Sequence, residues 1–276
     1  MHSEPLQQTM KQLRKQHPIA VSDELLVAML TNIGTLDANL RDRLIYSSFA
    51  NWLGNNIISD NQAKWLTAQV IQNNLLFKCI HEPQNDAIYT RTFTALLLTS
   101  LVDRDARTPF MSERVRAQVF EDATRYLQLE NDLRGNTVHG WAHAFGHGGD
   151  LLFYVCYHPK FPKRLVSNVL LSLYHGIMLP DGFTAGEGSR LDNCLIALQS
   201  QDRMSESQLL HWLMAVQENI SLTEAPGLRF DQGQKFMSLC VSLAYKLRFE
   251  KLSDGKVVQW LEEQIGNFYE QHGTVF

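Results

Sequence analysis

The chain has 276 residues, 45% hydrophobic and 20% charged, with only 16 Gly and 8 Pro, which excludes a disordered or fibrous protein and fits an ordered globular one. Its 25 Lys and Arg against 29 Asp and Glu leave a net charge of −4, and its one basic grouping, Lys11, Arg14 and Lys15, is too sparse for a phosphate-binding face, so nucleic acid is not an expected partner. A polar amino terminus, apolar runs as short as Ala95 to Leu98, and four separated cysteines (Cys79, Cys156, Cys194 and Cys240) that read as reduced, buried thiols give a cytoplasmic protein with no membrane partner as the expectation.

From the amino terminus onward, apolar residues recur with a period near 3.6 and no alternating strand pattern stands out, so the predicted class is all-α over a single domain, residues 1–276. The first helices are predicted at 5–16, 22–33 (capped by Ser22) and 39–53. Ser59 with Gln62 makes a Ser-x-x-Gln capping box that opens 60–75, followed by 86–102 and, after Ser112, 113–131. Further helices are expected at 137–156, 163–176 and 188–200, then at 206–219 behind a second box (Ser205 with Gln208), at 232–249, and at 256–270 behind Ser253. Breaks at Pro18, Gly54, Pro83, Pro109, Pro159, Pro180, Pro226 and Gly255 separate them. A dozen helices joined by short loops exceed one four-helix core, so stacked antiparallel pairs of about forty residues are expected, a HEAT-like α/α superhelix. With no clear internal repeat, a compact irregular helical bundle is the alternative.

The chemistry concentrates in 139–150. If 137–156 is one helix, His139, His143, His147 and Asp150 fall within roughly 80° of one another around its axis, and Trp141 and Phe145 face the other way as core anchors. His143 and His147, at i and i+4, can share one divalent ion, and Asp150 can add a carboxylate oxygen; His139 stands about 12 Å along the axis from His147, too far for the same ion. Ala144 follows the first histidine, so this is not a His-Glu-x-x-His site, and a general base has to come from Glu130, Asp132 or Glu187. The opposing reading is structural: the imidazoles hydrogen-bond a neighbouring helix and set its register. Glycines at 135, 140, 146, 148 and 149 point to close approach by a neighbouring helix or a ligand.

Four segments in order, RTFTALLLTSLVDRD (91–105), YLQLENDLRG (126–135), GWAHAFGHGGDLL (140–152) and GEGSRLDNCLIAL (186–198), resemble the uncharacterised bacterial family known as domain of unknown function 2785. The most specific part is Glu130, Asp132, Arg134 and Gly135 followed by Gly140, Trp141, Ala142, His143, His147 and Asp150, with Gly146 where an alanine is expected. The resemblance implies a helical bacterial protein and no activity.

The remaining candidates have simpler explanations. Glu130, Asp132 and Arg134 sit at a helix end, where an arginine fork onto Asp132 or Asp150 is structurally sufficient. The loop from Pro180 to Leu191 is glycine-rich but lacks a phosphate-loop order, and Glu187 with Arg190 is expected to pair locally. His175 is placed near a helix C-terminus, where the dipole favours a cation. No serine or cysteine sits in a nucleophile motif. Two functions are therefore carried forward. One is a non-enzymatic scaffold binding a protein segment or small ligand through Glu130, Asp132, Arg134, His139, His143, His147, Asp150, Glu187 and Arg190. The other is a metal-assisted hydrolase with one divalent ion on His143, His147 and Asp150.

Overall fold

Residues 3–15, 20–82, 84–253 and 255–271 are described by a computed structural model. In chain order they form α1 (Ser3–Leu13), α2 (Asp23–Thr31), a π-helical stretch (Asn39–Tyr46) running into α3 (Ser47–Gly54), α4 (Asp60–Gln72), a 3₁₀ turn (Leu75–Phe77), α5 (Ala87–Arg107) and α6 (Glu113–Leu129). A hairpin of β1 (Asn136–Thr137) and β2 (Gly140–Trp141) follows, then α7 (Ala144–Tyr157), a 3₁₀ turn (Lys163–Leu165), α8 (Val166–Met178), α9 (Gly188–Ser200), α10 (Glu206–Ser221), α11 (Pro226–Phe249) and α12 (Lys256–Gln271). The fold is all-α.

Local chemistry explains where α2, α4, α6, α10 and α11 start. Ser59 and Ser205 close both capping boxes, their hydroxyls accepting from the backbones of Gln62 and Gln208 while those side chains reach back. Ser22 and Ser112 cap α2 and α6. Ser253 does not cap: its hydroxyl donates to Glu206 at 2.7 Å. Pro226, read as a break, is the first residue of α11, because a proline there gives up no intrahelical bond and its ring presets the helical φ. The predicted breaks at Pro18 and Pro83 lie outside the described residues.

The helices stack in two layers. α3 packs on α5, α5 on α7, α7 on α9 and α9 on α11, while α6 packs on α8, α8 on α10 and α10 on α12. Neighbours within a layer are thus two places apart in sequence, the order of an α/α superhelix. One buried apolar cluster runs from Leu6 to Leu261 beneath both layers. Gly188 allows α9 to lie close to α11, since a Cβ there would stand 2.7 Å from Ser238 Oγ. Buried Asp105 ties α5, α6 and the end of α7 together: it accepts from the backbones of Phe110 and Met111, pairs with Arg116, and lies 3.3 Å from His158 Nε2. Burial opposes its ionisation, but those donors hold the carboxyl well below the usual carboxylate range.

Candidate functional site

The single helix expected over 137–156 does not form; the stretch is a hairpin followed by α7. Asn136 pairs with Trp141 and Thr137 with Gly140, and Gly140 takes φ +83°. The ladder is prolonged by Ala142 N donating to Gly135 O and His143 N to Arg134 O. The turn is pinned from outside. Thr137 Oγ1 accepts from His139 N and meets the Tyr89 hydroxyl at 2.6 Å, and the fully buried Arg41, lying over the Tyr89 and Phe93 rings, donates to His139 O at 2.7 Å. Five backbone and side-chain bonds outweigh the helix propensity of so short a segment, so His139 leaves the predicted polar stripe and its ring packs edge-on to Tyr89.

His143 is the N-cap of α7 in the left-handed region (φ 49°), and its side chain caps nothing. The ring is folded back over the first helical turn instead. A Cβ at position 146 would come within 2.3 Å of His143 Nε2, which explains glycine where alanine was expected. From there His143 Nε2 lies 3.3 Å from Glu187 Oε1, an ion-pair distance without hydrogen-bond alignment, with both side chains buried. Burial works against a charge on Glu187, but the His143 contact and the Ala185 backbone donor outweigh it and hold the carboxyl low. Trp141 does not occupy the core. It is 43% exposed on β2 with its ring 5.3 Å from that of His143, because hairpin geometry places it beside the imidazole rather than across a helix from it.

His147, one turn on, is half-buried; its Nδ1 sits 2.9 Å from Thr92 Oγ1 and its ring lies 5.3 Å from His143. Desolvation, then the neighbouring His143, Arg190 and Arg41, push its pKa down to about 3, so the ring is neutral. Asp150 is held by Arg190, and burial raises its pKa against that pairing. The local Glu187–Arg190 pair expected from sequence is therefore absent: Glu187 turns to His143 and Arg190 crosses to α7, each finding a less solvated partner between helices than on the α9 surface. The expected metal trio is likewise dispersed onto Glu187, Thr92 and Arg190, and among the described residues no three His, Cys, Asp or Glu side chains converge as a ligand set.

Glu130 and its neighbours form a separate corner. Glu130 accepts from Arg91 Nε and Nη2, Tyr126 OH and the backbones of Asn131 and Asp132, five donors on one buried carboxylate. Asp132 is forked by Arg134, whose Nη2 also donates to Asn85 O. A carboxylate so saturated has no lone pair for a substrate proton, which argues against Glu130 as a base; Asp132 is occupied by Arg134, and Glu187 is the acid brought to the histidines. His175 Nε2 lies 3.1 Å from Glu130 O, and burial lowers its pKa, the reverse of the cation favoured by the dipole argument.

Residues that local patterns missed are Arg41, Tyr89 and Thr92, which hold the hairpin and His147, and Tyr46 and Tyr154. The last two border a cavity of about 380 Å³ over Asp150, walled by α3, α5 and α7. A cavity of about 520 Å³ has Arg91, Glu130 and Asp132 in its wall, and one of about 610 Å³ adjoins it, between α2, α4 and the start of α5. Cys79 is exposed, contrary to expectation, because it sits at φ 51° in the loop before α5 rather than on a helix face; the other three cysteines are buried. No helix among the described residues is long and apolar enough to cross a membrane.

Over residues 76–233, more than half of its length, the chain matches the family described as protein of unknown function (DUF2785). No curated protein and no solved structure matches it.

Proposed function

The chain belongs to the DUF2785 family, and we propose that this member is a non-enzymatic helical scaffold that binds a protein segment or small ligand at the cavity over Asp150. One observation carries the reading: α3, α5 and α7 leave that cavity open beside Asp150, Tyr46 and Tyr154, while the other reactive side chains nearby are taken up by one another. Aromatic surface continues along the same layer, with Tyr157 on α7 and Tyr245 and Phe249 on α11 exposed and each stacked on a neighbour one turn away. Exposed aromatics of this kind are typical anchors for a partner. The reading keeps the protein in the bacterial cytoplasm.

The test is a photo-crosslinking residue placed at Tyr154 or Tyr157, with Leu171 on α8 and Met214 on α10 as exposed controls on the other layer. Crosslinks from α7 and none from the controls support the scaffold; equal yields from both layers, or none from α7, overturn it. A metal-assisted hydrolase would need His147, His143 and Asp150 to abandon Thr92, Glu187 and Arg190. Stoichiometric zinc, manganese or iron in untagged protein would establish that reading in place of this one.

A further inference from the structure

The wall of the cavity over Asp150 offers lone pairs and few protons. Thr99 Oγ1 and Ser100 Oγ line it, and each already donates its hydrogen to the carbonyl four residues back on α5, Ala95 O at 2.9 Å and Leu96 O at 3.2 Å. Asp103 and Asp150 hold Arg107 and Arg190 through Oδ2 alone, and neither Oδ1 accepts a hydrogen bond from the described residues. Neither arginine lines the cavity, so a guest meets the carboxylates and not their partners. The phenol hydroxyls of Tyr46 and Tyr154, both half-buried, are the only side-chain protons left in the wall to donate. Burial, then the charge of Asp150, pushes the Tyr46 phenol up, and burial, then Asp103 and Asp150, does the same to Tyr154, so both rings stand in the field of the acids.

Acceptors on two helices, two of them anionic, with aromatic rings beside them specify the head group of a guest. We infer that the cavity binds a guanidinium group, its N–H edges on the open oxygens of Asp103 and Asp150 and its flat face on a phenol ring. This rests on the cavity being the binding site proposed above and adds the chemistry of what it binds. An anion would meet two carboxylates with only phenol protons to offset them, and an apolar guest would strip water from oxygens it cannot bond. An ammonium presents its donors from one point and holds its water more tightly than the planar fork does, so it gains less in a cavity open to solvent.

Calorimetric titration of the full chain with butylguanidinium, butylammonium and butyrate, which share a chain and differ in head group, reads the ranking directly. Butylguanidinium should bind, butylammonium should bind about tenfold more weakly, and butyrate should give no heat beyond dilution. Asp103→Asn should weaken butylguanidinium by about tenfold, and Asp103→Lys should abolish its binding. Asp103 is 37% exposed and its pair with Arg107 is local to α5, so neither variant disturbs the core. Glu263→Gln, which removes an equal charge from exposed α12 surface, should change nothing. An acetylated and amidated Ala-Ala-Arg-Ala-Ala peptide separates the sources: tighter binding than butylguanidinium marks a protein segment as the bearer, binding no tighter marks a free guanidine, and either supports the inference. No binding of butylguanidinium, a rank no higher than that of butylammonium or butyrate, or equal weakening by Glu263→Gln overturns it. The titration needs no partner protein, so it can fail while crosslinks from α7 succeed, or succeed while they fail, and the two readings are judged apart.

Discussion

The corner at Glu130 and the edge of α7 at Asp150 are built from the same parts, a carboxylate and an arginine drawn from different elements, and they differ in what else reaches the carboxylate. Glu130 and Arg91 are 1% and 3% exposed, and five donors close on the acid; Asp150 and Arg190 are 27% and 38% exposed and share a single contact beside an open cavity. A saturated, dehydrated pair can only brace the fold, whereas a half-solvated pair can exchange its partner for a ligand. The largest expected effect follows. Glu130→Gln leaves Arg91 buried without a counter-charge and should cost about 3–5 kcal/mol in urea unfolding. Asp150→Asn should cost no more than about 1 kcal/mol, because an ion pair in contact with water contributes little. Similar costs for the two substitutions would erase the distinction between brace and site.

A smaller effect sharpens the α7 side. Alanine at 146 would ordinarily gain about 1 kcal/mol of helix propensity over glycine. Here its Cβ would run into the His143 ring at 2.3 Å, so Gly146→Ala should instead destabilise by about 1–3 kcal/mol and push His143 away from Glu187. A stabilised variant would mean that the imidazole does not rest on the helix backbone.

Acid provides the third comparison. His147 has a native pKa near 3, below the value near 6.5 that it regains on unfolding, so the unfolded chain binds the extra proton between those limits. The stability linked to this ring is complete above about pH 6.5 and is lost as pH falls toward 3, by about 1 kcal/mol near pH 5 once partial exposure of the ring is allowed for. His147→Gln, which can still bond Thr92, should flatten that part of the stability profile. If the variant and the parent lose stability in parallel below pH 6.5, the neutral ring is not the cause.

How much of this was readable from residue order divides along the same line. The helices were legible because their causes are local: a 3.6 period and Ser-x-x-Gln boxes satisfy the backbone within a few residues of themselves. The helix end at Glu130 was legible for the same reason, and the fork of Arg134 was legible to within two partners, Asp132 and Asp150, of which the nearer in sequence is the one it holds. What was not legible depends on contacts distant in sequence. Two-residue strands have no period to detect, and the hairpin is held by Arg41, ninety-eight positions from His139. The exchange of partners among Glu187, Arg190, His143 and Asp150 follows from α7 lying against α9, which no local spacing encodes.

The smallest expected effect tests that failure directly. On a continuous helix Trp141 would be a core anchor, and Trp141→Ala would cost about 3 kcal/mol or more through the cavity it left. On β2 the indole is 43% exposed and lies beside the His143 ring, so it is covered in part and not enclosed, and its removal leaves a notch open to water instead of a closed cavity. Trp141→Ala should therefore change unfolding free energy by less than about 1 kcal/mol, within the range of ordinary surface substitutions. Its main consequence should be local: with the indole gone, the face of the His143 ring opens to water and the contact to Glu187 is less shielded, so amide exchange at His143 and Ala144 should quicken while the core of α7 around Leu151 and Leu152, fully buried, is unchanged. A loss near 3 kcal/mol would put the indole back in the core and the hairpin in error.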